Sequence, residues 1–136
     1  MNSAIDHVIL NVKSFKHSLS FYDWLMPRVG YPKKVDDTGG DGQIGWVNEK
    51  GGSVWMKEAD KRFKSDSFHK DRIGLCEIAF RVKTRREVDE FAKELKKNGA
   101  KILDSPREYS YCKGYYAVFF SDPDGIKLEI VYYPNQ

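Results

Sequence analysis

The chain has 136 residues, enough for one domain with a sizeable core, and its 40% hydrophobic and 32% charged residues make the ordinary mix of a folded globular protein. The formal net charge of +3 is spread along the chain. Locally basic stretches at 57–64 and 93–97 read as solvated faces, not as the clustered stripe that nucleic acid needs, so no nucleic-acid partner is expected. Two distant cysteines, Cys76 and Cys112, form neither a disulfide framework nor a zinc motif. No segment approaches the roughly 20 apolar residues of a membrane span, and residues 1–6 lack the basic and apolar regions of a signal peptide. No membrane partner is expected, and the simplest compartment is the cytoplasm, with both thiols reduced.

Residues 5–12 alternate and are rich in β-branched side chains, which predicts a strand. Ser14 can cap a helix by accepting from an orphan amide, after which Phe15, Leu19, Tyr22 and Leu25 recur at helical spacing until Pro27 and Gly30 close the stripe. A short strand is expected at 31–35 and a loop at 36–42, where three glycines and three aspartates fall together. Strands at 43–48 and 53–58 flank a Glu49-Lys50-Gly51-Gly52 turn, and 59–73 is a polar connector.

The pattern then restarts. Residues 75–82 read as a strand, and Thr84 with Glu87 three residues later forms a capping box. Val88, Phe91, Ala92 and Leu95 make a helical stripe, and Gly99 sits where a helix-ending glycine belongs. A short strand at 100–103 and a loop at 105–113 precede strands at 115–120 and 126–133, joined by the turn Asp122-Pro123-Asp124-Gly125.

Strand, helix and three strands therefore occur twice. His7-Val8-Ile9-Leu10-Asn11-Val12 aligns with Glu77-Ile78-Ala79-Phe80-Arg81-Val82, and Gly52-Ser53-Val54-Trp55-Met56 with Gly125-Ile126-Lys127-Leu128-Glu129. The expected fold class is α+β: two βαβββ modules forming a curved, mostly antiparallel sheet around a cavity. A single domain would span 1–136, with module one at about 4–60, a connector at about 61–73 and module two at about 74–134. Strand alternation sends Val8, Leu10, Val12, Ile78, Phe80, Val82, Leu128, Ile130 and Tyr132 toward the helices. It sends His7, Ile9, Asn11, Glu77, Ala79, Arg81, Lys127, Glu129, Val131 and Tyr133 to the opposite face. That face mixes ionisable and apolar groups, as a binding site does and a plain core does not.

The opening strand 6–12 with Phe21-Tyr22, the second-module strand 74–80 and the closing hairpin 114–129 together resemble the glyoxalase/bleomycin-resistance/extradiol-dioxygenase superfamily, the vicinal oxygen chelate proteins. The resemblance implies paired βαβββ modules, a homodimer, and often a divalent metal held by residues at positions 7, 56, 77 and 129. Here those are His7, Met56, Glu77 and Glu129. His7 and Glu129 match the usual ligand types, whereas Glu77 stands where histidine is common and Met56 where glutamate or glutamine is common. A centre of His7, Glu77 and Glu129 would suit Zn, Ni, Mn or Fe(II), with open positions for substrate. Glu77 and Glu129 would then be the catalytic carboxylates, shuttling protons. Alternatively, the two carboxyls share a proton without metal.

Among further candidates, Arg81 either grips an anionic ligand in two-pronged fashion or neutralises a carboxylate. Asn11 is its repeat equivalent. Met56, Tyr116 and Trp46 are expected to line the cavity, while Trp24 and Trp55 are expected on packed faces. His69 reads as solvated or at the cavity mouth, His17 as exposed, Cys76 as a buried thiol and Cys112 as a loop thiol. Two functions stay open. One is a metal-dependent lyase, isomerase or dioxygenase acting on a small oxygenated molecule. The other is a module that binds and sequesters a small molecule, as in bleomycin resistance, without chemistry.

Overall fold

The structure, a computed structural model, describes residues 3–134; Met1 and Asn2 of the N-terminal stretch lie outside the described residues, as do Asn135 and Gln136. The chain divides into two compact units, 1–66 and 67–136. The first contains β1 (His7–Val12), α1 (Phe15–Arg28), β2 (Lys33–Asp37), β3 (Gln43–Val47) and β4 (Ser53–Glu58), followed by a 3-10 turn at Lys61–Phe63. The second contains β5 (Ile78–Arg81), α2 (Arg85–Lys97), β6 (Lys101–Glu108), β7 (Tyr116–Ser121) and β8 (Lys127–Tyr132). Strand order is β1-β4-β3-β2 in one sheet and β5-β8-β7-β6 in the other. In each, the first strand runs parallel to the last and the other neighbours are antiparallel. These are the two βαβββ modules that the repeat predicts.

In the first unit Ser14 caps α1, its hydroxyl accepting from the amide of His17 at 3.2 Å. The apolar stripe of α1 buries Tyr22, Leu25 and Met26 along with Leu10, Val12, Ile44, Trp46, Val54 and Met56 of the sheet. The rings of Tyr22 and Trp46 lie 6.0 Å apart. Each such side chain contributes about 1.5–3 kcal/mol on burial. In the second unit the capping box is complete: the Thr84 hydroxyl accepts from the Glu87 amide, and the Glu87 carboxylate accepts from the Thr84 amide at 2.8 Å. Val88, Ala92 and Leu95 of α2 are buried, as are Phe80, Val118, Phe120, Leu128 and Ile130 of the sheet.

The β7–β8 turn is held from inside. The buried carboxylate of Asp122 accepts the amides of Asp124 at 2.9 Å and Ile126 at 2.8 Å, and Gly125 adopts a φ of 85°. Most strand boundaries differ from the sequence reading by a few residues, and three of the differences have a local cause. β2 begins at Lys33, because the Tyr31 amide still bonds back to the Met26 carbonyl and Pro32 has no amide to give. β5 begins only at Ile78, leaving residues 75–77 outside the ladder. β6 continues to Glu108, with register shifts on both sides of Asp104 that let Pro106 sit in a strand without a ladder donor.

Candidate functional site

Cross-strand partners share a face, so register decides what the face of each sheet away from its helix carries. In the second unit Ala79 pairs with Glu129 and Arg81 with Val131, while Ala117 and Phe119 of β7 oppose Val131 and Glu129. Ala117, Phe119 and Val131 form a buried cluster against which Tyr109, Tyr115 and Tyr133 pack. Glu129 stands among them, only 1% exposed.

Its main partner is Tyr115, whose hydroxyl donates to Glu129 Oε1 at 2.5 Å. Burial raises the Glu129 carboxyl above its ordinary value, and the nearby Glu77 carboxylate raises it further. The Tyr115 hydrogen bond and the Lys127 ammonium pull it back without cancelling the rise. Burial, and then the bond to Glu129, holds the Tyr115 phenol well above the usual tyrosine range. The pair therefore keeps its protons at pH values where free groups would have released them.

Glu77 is tied to Lys127, with Nζ 2.7 Å from Oε2. The contact is an ion pair off the hydrogen-bond line, since the buried Oε2 has no aligned donor. The same ammonium lies 4.4 Å from the centre of the Phe119 ring. Around this centre the tyrosines form a continuous wall. Tyr133 stacks on Tyr115 at 5.5 Å, Tyr115 meets Tyr111 edge-on at 5.1 Å, and Tyr111 stacks on Tyr109 at 5.4 Å. Tyr109 donates to Asp104 at 2.5 Å, and burial with that bond pushes its phenol up to about 12. Arg81 caps the other end: its guanidinium lies 3.8 Å from the Tyr133 ring centre, and Nη2 donates to the Tyr133 carbonyl at 2.9 Å.

The open face of the first unit is different. His7, Ile9, Ser53 and Trp55 line a shallow cleft of about 370 Å³ together with Asp6, Asp37, Asp41 and Gln43. His7 Nδ1 lies 2.7 Å from Asp6 Oδ2, and both groups face water. Trp55 donates from its indole to Ser53 Oγ at 2.9 Å and lies across Gly45, where an added Cβ would come within 2.3 Å of the ring. Asn11 is exposed on the same face.

Four sequence assignments, those of Met56, Trp55, Tyr116 and Trp46, move to the other side of their sheets. Met56 was expected in the cavity as the repeat equivalent of Glu129. It pairs instead with Leu10 and is 1% exposed, packed toward the helix. His7 aligns with Ser53 and Ile9 with Trp55, so the true equivalent of Glu129 is Trp55, which lies on the open face and not the packed one. Tyr116 shows the same slip. It pairs with Tyr132, and its hydroxyl donates to Asp89 of α2 at 2.8 Å; its neighbour Tyr115 reaches Glu129. Trp46 is likewise in the helix-side core at 0% exposure. Cys76 is exposed, because residues 75–77 have left the ladder. His17 and His69 are exposed as well, and Cys112 is half-buried.

Sequence reasoning passed over Tyr115 and Lys127 as functional groups. For Lys127 the signal was present, since alternation already places it on the face of Glu129. The ligand test for a metal gives a plain answer. Among the described residues no group of three or more histidine, cysteine, aspartate or glutamate side chains is placed to hold a metal ion. The second unit offers two carboxylates, one bonded to a phenol and one paired with an ammonium. As arranged, these donors do not fit a metal centre.

The chain is similar to known proteins in both sequence and fold. The family model for the Glyoxalase/Bleomycin resistance protein/Dioxygenase superfamily matches residues 4–130. The uncharacterised Bacillus subtilis (strain 168) protein YqjT is 30% identical over 126 residues, covering 92% of this chain and 95% of its own. A solved structure from Bacillus halodurans is similar at 31% identity and a TM-score of 0.78, covering 95% of each chain. A glyoxylase/bleomycin resistance protein/dioxygenase domain from Frankia sp. EAN1pec is similar at 25% identity and a TM-score of 0.80, covering 99% of this chain and 95% of its own. The fold alone is shared with FosX, a fosfomycin resistance protein of Listeria monocytogenes, at 19% identity and a TM-score of 0.71 over 98% of this chain and 96% of its own.

Proposed function

Since the chain belongs to the Glyoxalase/Bleomycin resistance protein/Dioxygenase superfamily, we propose that it is a binding member of that superfamily, taking a small molecule on the open face of the second sheet. The observation that carries this reading is the state of the two carboxylates. Glu129 is buried against the Tyr115 hydroxyl and Glu77 is paired with Lys127, so neither stands open as a ligand. A wall of tyrosines beside a buried carboxyl is suited to hold a small ring. The rings supply flat apolar area, and Glu129 with Tyr115 supplies directed hydrogen bonds to a hydroxyl or amine. A homodimer belongs to the same proposal.

The test is calorimetric titration of the full chain with phenol and catechol as first probes, with mass analysis of the ligand afterwards. Saturable binding, weakened about ten-fold in Glu129→Gln by loss of one hydrogen bond, with the ligand recovered unchanged, is the expected result. Absence of binding to either probe would overturn it.

One observation favours a second reading, a metal-dependent lyase, isomerase or dioxygenase. The Asp6 carboxylate at His7 Nδ1 leaves Nε2 as the position for a ligand bond, the arrangement common around metal-binding histidines. Near-stoichiometric Mn, Fe(II), Ni or Zn in reconstituted protein, lost in His7→Ala and in Glu129→Ala, would replace the binding proposal with this one.

A further inference from the structure

Beyond Glu129, the same face continues to a second recognition element. Arg81 of β5 and Lys83, just after it, line a cleft of about 550 Å³ with Val82, Tyr132, Tyr133 and Pro134. That volume lies within the range of small-molecule sites. We infer that this cleft binds the oxyanion of a small ligand, a carboxylate or a phosphate group, through Arg81 and Lys83, with Tyr133 as its aromatic floor.

Three features support it. First, the cleft is lined by two cations. Beside them the Glu87 carboxylate accepts the backbone amides of Lys83 and Thr84, each at 2.8 Å, within the α2 capping box. Second, the guanidinium is held in a set orientation. Its stacking on Tyr133 at 3.8 Å and its bond to the Tyr133 carbonyl restrict a long side chain that would otherwise lose rotamer freedom on binding. A guanidinium fixed in this way presents its positive charge to an oxyanion in a set direction. Third, side-chain contacts link the cleft to the Glu129 centre. Arg81 covers Tyr133, Tyr133 stacks on Tyr115, and Tyr115 bonds Glu129. A ligand spanning the ladder would place an anionic group at Arg81 and a hydrogen-bonding group at Glu129.

The inference rests on the binding reading above and adds the charge of the ligand. It is tested with inorganic phosphate and with benzoate, titrated into the ¹⁵N-labelled full chain and followed by amide and arginine side-chain shifts. The expected result is saturable shifts at Val82, Lys83 and Tyr133, weakened about ten-fold in Arg81→Gln and several-fold in Lys83→Gln. Lys101→Gln, which removes an exposed charge on the far strand of the same sheet, should bind as the wild type does. Absence of saturable shifts, wild-type affinity in Arg81→Gln, or an equal loss in Lys101→Gln would overturn the inference. If both anions fail while phenol or catechol still binds in a Glu129-dependent manner, the anion site falls and the binding reading stands. If nothing binds, both fall.

Discussion

Tyr115 donates its phenolic proton to Glu129 across 2.5 Å, joining the residue that precedes β7 to the centre of β8. Both groups are held above their ordinary titration ranges, chiefly by burial. The hydrogen bond from Tyr115 is the strongest influence pulling Glu129 down. Tyr115→Phe should therefore raise the Glu129 carboxyl still further, which a carboxyl-carbon NMR titration reads directly. The sign for stability follows from the same shift. A carboxyl whose folded value is raised favours the folded state below its unfolded value, near 4.5, and loses that contribution as pH rises through the folded value. Glu129→Gln, which cannot ionise, should thus gain in Tm relative to wild type as pH rises from about 4.5 toward neutrality. A constant gap across that window would contradict the assignment.

Met56 sits in the helix-side core against Leu10. Met56→Ala should lower unfolding free energy by about 2–5 kcal/mol, as loss of a buried thioether side chain does, and leave small-molecule affinity unchanged. Met56→Glu, which supplies the ligand type that the sequence alignment implied for this residue, should destabilise without adding metal affinity. The reason is that a carboxylate placed there is buried among apolar groups and costs several kcal/mol unless neutralised. Urea denaturation and metal analysis check the two halves. A metal gained in Met56→Glu would show that the side chain reaches the open face after all.

Gly45 lets Trp55 lie flat on the first sheet, and any Cβ there would meet the indole at 2.3 Å. Gly45→Ala should cost about 1–3 kcal/mol through overpacking and shift the tryptophan emission as the ring lifts into solvent. Most of that cost should disappear in the Trp55→Ala background, as a double-mutant cycle measures. Additive losses would mean that the glycine is required for its backbone alone.

Much of the architecture is written locally. The caps at Ser14 and Thr84, the stripes of α1 and α2, and the Asp122–Gly125 turn are short-range patterns, and each folds as its residues predict. The internal repeat follows from them, because two runs of the same elements bury their faces in the same way. The faces of β1, β5 and β8 were legible too, since alternation needs only a known starting point: His7, Ile9 and Asn11 are exposed on one side, with Leu10 and Val12 buried on the other.

The sequence by itself therefore determined the two βαβββ modules, their family and the face on which Glu129 stands. Tertiary structure alone decided which residues meet there. Aligning short strands by similarity leaves an uncertainty of one residue, and with a period of two one residue exchanges the faces. That single step separates Met56 from Trp55 and Tyr116 from Tyr115. Only the hydrogen-bonded ladder, which sets Ile9 beside Trp55 and Ala79 beside Glu129, resolves it. The pairing of Glu77 with Lys127 lies beyond local pattern for the same reason: the two are 50 positions apart and come together only because β5 runs parallel to β8.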